Sequence, residues 1–288
     1  MDRFFFKVLG AVSLMLLPAF HLSADNSDSL MVVRPVNSFY SIEAGSSHLT
    51  DTYLTPVKYS GWHIGFDYER NQSMKFSPEK WVMQMRFGLG FDKAVIASGS
   101  QSMLNGQLNF TWSMMRRWRF AHGISAAVGG SALLRAGCLY RDRGGNNPAS
   151  AKASLMVGLT GYVCWNGLVG SVPVTLRYQP FLPVTGAFFA PDYGELYYEI
   201  YLGNHSGLAH CGWWGNYFAL DNLVTADFRF GSTTLRVGYS GSIYSTDINH
   251  TVTNIITHAA VVGVGGEWIS VSPGKKLSDA ARSISATY

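Results

Sequence analysis

Charge is scarce in this chain. Only 14% of its 288 residues are Asp, Glu, Lys or Arg, and no run of Lys and Arg is long enough to serve as a nucleic-acid footprint. No nucleic-acid partner is therefore expected. Cysteine is scarcer: Cys138, Cys164 and Cys211 are odd in number, stand far apart and form neither a CxxC pair nor a zinc-like cluster. Isolated packing thiols are the expectation. None lies near Ala24, which excludes a lipid-modified N-terminus there. What the chain does have is 31 glycines and 14% aromatic residues, a mixture that suits neither disorder nor an ordinary soluble surface.

The first residues read as a targeting segment. Asp2, Arg3 and Lys7 flank an apolar run, Phe4–Leu17, that leads through Pro18 to Leu22-Ser23-Ala24. A basic start, a short apolar stretch and small residues at a cleavage point make a secretory signal peptide over 1–24, and the stretch is too short to span a bilayer. Removing it takes the formal charge from +4 to near +3, because two cations and one anion leave. A polar leader over 25–35 is expected next, then one domain over 36–271, with 272–288 a tail or a last strand.

Lys80–Asp92 sets the pattern of that domain. Trp81, Met83, Met85, Phe87, Leu89 and Phe91 alternate with Val82, Gln84, Arg86, Gly88, Gly90 and Asp92. Period two is the signature of a strand, since a helix at roughly 100° per residue would scatter the large groups around its circumference. The alternation recurs about eleven times in segments of roughly ten residues. Single-chain bacterial barrels have even strand numbers, so a twelfth is expected, with Arg282–Tyr288 the candidate. Tight reversals are expected at Arg116-Arg117, Asn166–Gly170 and Gly231-Ser232, and long loops over Gly137–Ser150 and Pro180–Gly194. Leu196–Gly203 reads as a strand.

The fold class that follows is all-β: a transmembrane antiparallel up-and-down β-barrel of 10–12 strands. One face of nearly every strand is large and apolar, and Trp62, Tyr68, Trp81, Trp112, Trp118, Tyr178 and Trp268 are expected at the lipid interface as an aromatic girdle. The other face carries Glu43, Asp67, Glu69, Arg86, Arg119, Arg177, Glu199, Asp227, Arg229, Arg236 and Glu267, expected to line the lumen. A sandwich interior would not hold so many ions, each costing several kcal/mol if unpaired. A narrow lumen holds them as mutual pairs, and closure removes the sheet edges that lipid does not tolerate.

The segments L-G-N-H-S-G (Leu202–Gly207), W-W-G-N (Trp213–Asn216) and G-G-E-W-I-S-V (Gly265–Val271), with the signal peptide and the alternation, carry a resemblance. The chain resembles an outer-membrane β-barrel family of Gram-negative bacteria known only as a domain of unknown function. That resemblance implies the barrel and the outer membrane, reached by the general secretory route, and it brings no activity.

Two constellations bear on chemistry. His205 and Ser206, with Asn216 and Asp221 as further candidates, are similar in kind to the Ser and His of outer-membrane phospholipases and lipid A deacylases. In those families the pair stands two residues apart on one strand face. Here the two are adjacent and would point to opposite faces unless a bulge at Gly207 realigned them. His205, His210 and Cys211 are suitable ligand types for a soft metal, but no spacing enforces a site, so neither metal nor cofactor is expected. The expected function is a non-enzymatic barrel, structural or passing small polar solutes, in contact with outer-membrane lipid and lipopolysaccharide and assembled by the barrel-assembly machinery. The alternatives are a lipid hydrolase using Ser206 and His205, or an adhesion or envelope-assembly partner acting through its loops.

Overall fold

The computed structural model describes residues 32–142, 148–269 and 282–287. The expected signal peptide and most of the polar leader lie outside the described residues. Among the described residues thirteen strands follow one another: β1 (Val32–Val33), β2 (Val36–Asp51), β3 (Thr55–Ser73), β4 (Trp81–Val95), β5 (Ser102–Arg119), β6 (Ile124–Arg141), β7 (Ala149–Val169), β8 (Val172–Phe189), β9 (Ala209–Gly212), β10 (Tyr217–Phe230), β11 (Thr233–Ile248), β12 (Thr251–Trp268) and β13 (Arg282–Ser283). Ten of them close into an antiparallel barrel, in the order β10-β11-β12-β2-β3-β4-β5-β6-β7-β8 with β8 returning to β10. The strand number is therefore ten, not twelve. β9 is an added strand on the edge of β8, and β1 pairs β13 in parallel over two residues.

Closure fixes the tilt. Register partners of Tyr40 run through Tyr68, Phe87, Phe110, Leu134 and Leu155 to Ala187 of β8. The opposite circuit, through Val264, Leu235 and Phe228, reaches Val174 of the same strand. The two ends lie thirteen residues apart, one of them taken by a bulge opposite Val157 and Gly158. With ~3.3 Å per residue and ~4.8 Å between strands, that stagger is a tilt of about 40°. At such a tilt about ten residues cross a ~25 Å apolar band.

The wall has the faces that the alternation demands. On β4, Trp81, Met83, Met85, Phe87, Leu89 and Phe91 face outward while Val82, Gln84 and Asp92 are buried inside. On β3 the outward Trp62, Ile64, Phe66 and Tyr68 are bounded by Lys58 and Ser60 on one side and Arg70 and Gln72 on the other. Trp81, Trp118 and Trp268 sit at strand ends, Trp62 at the edge of its apolar stretch, and Tyr68, Trp112 and Tyr178 nearer mid-strand.

Several local readings are corrected. Leu196–Gly203 is not a strand; it holds a short helix, α1 (Tyr197–Tyr201), in the connection over 190–216. The reversal placed at Arg116-Arg117 comes later, at Phe120–Gly123, where His122 and Gly123 take positive φ of 59° and 75°. Most of Pro180–Gly194 is strand, because β8 runs to Phe189, and its Pro183 sits beside the bulge that tolerates a missing donor. Half of Gly137–Ser150 is the ends of β6 and β7, and 143–147 lies outside the described residues. Removing the false strand resolves the parity. The turns over 120–123, 170–171 and 231–232 now share one end of the barrel with both termini of the ten-strand wall, and the connections over 142–148 and 190–216 share the other.

Candidate functional site

The interior carries the chemistry, in layers that follow the inward residues of each strand. At the end with the long connections the filling is apolar: Leu49, Tyr59, Met103, Leu139, Met156, Phe188, Tyr217 and Tyr244 are buried together. Tyr53 donates its hydroxyl to Glu195 O at 2.5 Å, and Ala151 N donates to the hydroxyl of Tyr197 at 2.6 Å, so the connection over 190–216 is tied across that end. Lys152 lies beneath, 2.9 Å from Asp51 and 2.8 Å from Thr253.

The next layer is polar. His63 Nδ1 is 2.7 Å from Asp92 and its Nε2 3.8 Å from Glu43, while Asn105 donates to the second oxygen of Asp92 at 2.6 Å. Arg86 reaches Asp67 at 3.4 Å, and Arg135 reaches Asp221 at 3.4 Å and Asn109 at 2.8 Å. In this layer lies a cavity of about 80 Å³, lined by Glu43, His63, Asp67, Arg86, Gln107 and Asp221 among others, which holds no more than a few water molecules.

Below it the lumen is filled by ions. Arg177 on β8 grips Glu69 on β3 with two bonds, 2.6 and 2.7 Å. Arg236 on β11 donates to Glu69 at 3.0 Å and to both oxygens of Asp227 at 2.7 and 2.8 Å, its guanidinium 3.5 Å from the ring centre of Phe39. All four ionised side chains are 1–3% exposed. Gln84 and Gln179 exchange amide bonds, 3.1 and 2.5 Å, alongside them. Two-pronged guanidinium–carboxylate pairing satisfies groups that would otherwise be costly to bury.

The last layer is a segment of the chain itself. Ile284 and Ala286 are buried, and Arg117 donates to the carbonyls of Ser285 and Ala286, each at 2.7 Å, and to those of Pro78 and Glu79. Arg282 pairs with Glu79 at 2.7 Å, and the hydroxyl of Ser285 bonds Glu267. Residues 282–287 thus fill the mouth at the turn end. Bonds to charged groups contribute about 1.5–3 kcal/mol. Arg117→Ala is accordingly expected to raise hydrogen exchange of the 284–287 amides by at least about tenfold; unchanged exchange would assign the hold to the buried Ile284 and Ala286 and the contacts of Arg282 and Ser285.

Glu43, Asp67, Glu69, Arg86, Arg177, Asp227 and Arg236 are thus brought together inside the barrel, with Arg229 half-buried toward the turn end. Arg119 and Glu267 share the inward register but are exposed at the rim. Glu199 does not line the lumen: it is exposed on α1, accepting from Leu196 N at 3.2 Å, because the chain there is a turn of helix outside the wall. The hydrolase candidates are scattered. His205 and Ser206 are exposed in the connection over 190–216, Asn216 closes a turn onto Trp213 N and Cys211 O, and Asp221 is inside, bonded by Ser242 at 2.5 Å. His210 Nε2 lies 3.1 Å from Ala190 O, and among the described residues no three His, Cys, Asp or Glu groups are placed to hold a metal. His63, Asp92, Asn105 and Arg135 were missed as a site, although each occupies an inward place in its strand.

Several solved outer-membrane proteins are similar to this chain over most of its length. The translocator domain of autotransporter NalP from Neisseria meningitidis is 12% identical, covering 93% of this chain and 96% of that one, with a TM-score of 0.38. The transport unit of the autotransporter AIDA-I from Escherichia coli is 8% identical, with coverages of 90% and 97% and a TM-score of 0.40. An outer membrane channel from Pseudomonas putida F1 is 9% identical, with coverages of 85% and 100% and a TM-score of 0.34. Likeness at this level carries no function across. No curated protein matches the sequence. A family model does match, over residues 9–275, and the chain belongs to that family, described as a protein of unknown function, DUF3316.

Proposed function

We propose that this chain is a non-enzymatic barrel of the bacterial outer membrane whose interior is a packed core rather than a pore. The observation that carries this is the layer formed by Glu69, Arg177, Arg236 and Asp227, which joins β3, β8, β10 and β11 across the lumen with side chains only 1–3% exposed. The apolar filling at one end and residues 282–287 at the other reinforce it. An outward band of large apolar residues, edged by Trp62 on one side and by Trp81 and Trp118 on the other, supports a lipid surround. The longest connections of such barrels face the cell surface, which orients the connection over 190–216 outward, with the short turns over 52–54 and 249–250 at the same end. The expected contacts are outer-membrane lipid and lipopolysaccharide along the wall, and the barrel-assembly machinery during insertion.

Planar-bilayer recording of the refolded protein tests the closed interior. The expected result is insertion without steady ion conductance, and a stable unitary conductance at neutral pH would overturn it. The hydrolase reading has no geometric support, since no hydrogen bond joins His205 to Ser206 and Asp221 is engaged inside the wall. A second reading, surface attachment, is favoured by Tyr193, Tyr198, Tyr201 and Trp213, which are 61–84% exposed in the connection over 190–216.

A further inference from the structure

The outer wall of the barrel is apolar at mid-strand except along one row. Asn222 on β10, Gly241 on β11 and His258 on β12 are direct register partners. All three belong to the outward face: Asn222 lies between the outward Leu220 and Val224, and His258 between Ile256 and Ala260. Two tyrosines bring their hydroxyls to this row. Tyr178 donates to Asn222 Oδ1 at 2.9 Å, and the hydroxyl of Tyr239 lies 2.5 Å from His258 Nδ1, its ring folded over Gly241. A Cβ at this glycine would stand 2.9 Å from that hydroxyl, so a larger residue would displace the Tyr239 ring.

Half of the row's hydrogen-bonding capacity is left over. Asn222 Nδ2 has no partner among the described residues, and neither has His258 Nε2, whichever tautomer the ring adopts. Next to the row the wall is dished into an apolar groove of about 510 Å³, floored by Ala226 and Gly238 and walled by Trp165, Tyr178 and Tyr239. Lipid tails offer nothing to a free amide or imidazole at this depth, so polar groups on a lipid-facing wall mark a contact with something that does.

We propose that this flank, β8-β10-β11-β12, is where two copies of the chain meet in the membrane. The partner must present hydrogen-bonding groups at the same depth as Asn222 and His258. Two copies inserted in the same direction are related by an axis along the bilayer normal, so each sets its own row at the height of the other's. The groove then receives aromatic side chains of the second copy, and the small outward Ala226 in its floor lets the two walls approach closely. This inference rests on the membrane placement proposed above.

The test uses the full mature chain, singly labelled with donor or acceptor dye and refolded into dilauroylphosphatidylcholine vesicles over a series of protein-to-lipid ratios. Folding of every sample is checked by its heat-modifiable band on a gel. Energy transfer between copies should fall on dilution with lipid. In Asn222→Leu/His258→Leu, which replaces polar groups by apolar ones on the lipid side and so inserts at least as readily, the midpoint should move by about tenfold toward higher protein. Leu134→Ala on the opposite wall should leave it in place. A folded wild-type protein that is monomeric at every ratio would overturn the proposal, as would equal association of the wild type and the Leu variant. Retention of a lipid by the folded monomer in native mass spectrometry would assign the row to lipid and overturn it too. A wild-type chain that never inserts into the vesicles would overturn the membrane reading beneath it.

Discussion

Glu69→Ala is expected to destabilise the folded barrel by about 3–5 kcal/mol, the usual cost of leaving buried charge without its partner. Arg177 would lose both of its carboxylate bonds, and Arg236 would keep only Asp227. Both guanidinium groups would stay 2–3% exposed, enclosed by packed side chains. Urea unfolding in dilauroylphosphatidylcholine vesicles, followed by tryptophan fluorescence, reads the loss. Arg177→Met on top of Glu69→Ala should recover a good part of it, because the double variant removes the orphaned cation as well as its partner. A loss under about 1 kcal/mol for Glu69→Ala would mean that water reaches this layer and that the lumen is open, against the proposed packed core.

Met85→Arg is expected to impair membrane assembly by about 2–4 kcal/mol, since Met85 faces outward within the apolar band and a charge there meets lipid. The instructive comparison is an inward position. From the alternation alone Gln84→Arg would be the mild control. The geometry rejects that choice, because Gln84 is 2% exposed and locked to Gln179 beside Arg177, where a further cation finds no room. Gln107 lines the central cavity with Glu43, Asp67 and Asp221, so Gln107→Arg gains acidic neighbours and should fold nearly as well as wild type. Equal yields of heat-modifiable barrel from Met85→Arg and Gln107→Arg would reverse the assignment of the two faces.

Much of this architecture is visible in single segments, because each barrel strand separates two solvents and repeats that separation every second residue. Lys80–Asp92 is readable for that reason alone. The failures have local physical causes. Tyr197–Tyr201 alternates well enough to pass for a strand, but the edge of β8 that it would need is already taken by β9, and Glu199 closes a helical turn onto Leu196 instead. Arg116 looked like a reversal because it is a charge on an outward face; its guanidinium lies 5.6 Å from the ring of Trp118, and β5 simply continues past the apolar band. Pro180 and Pro183 suggest a loop, yet Pro183 sits beside the bulge and Pro180 stays in register opposite Asn222 of β10. The inward charges were legible one by one, but their partners were not. Glu69 and Arg177 stand 108 positions apart, and only closure of the wall, with its particular stagger, makes them neighbours.

The pairing of β12 with β2 has a consequence in time. It joins Trp268 to Val36 through a ladder of sixteen residue pairs, across almost the whole described wall. Every other pair of neighbouring staves is linked by a connection of at most 27 residues, the longest being 190–216, and can zip as soon as both strands exist. The last ladder cannot begin until the final strand has been delivered, and it must then overcome the entropy of closing a loop of more than two hundred residues. Until that moment β2 and β12 are two unsatisfied edges, each able to pair with a foreign strand. Slow closure, rather than the formation of any single hairpin, is therefore the interval in which this chain must be shielded.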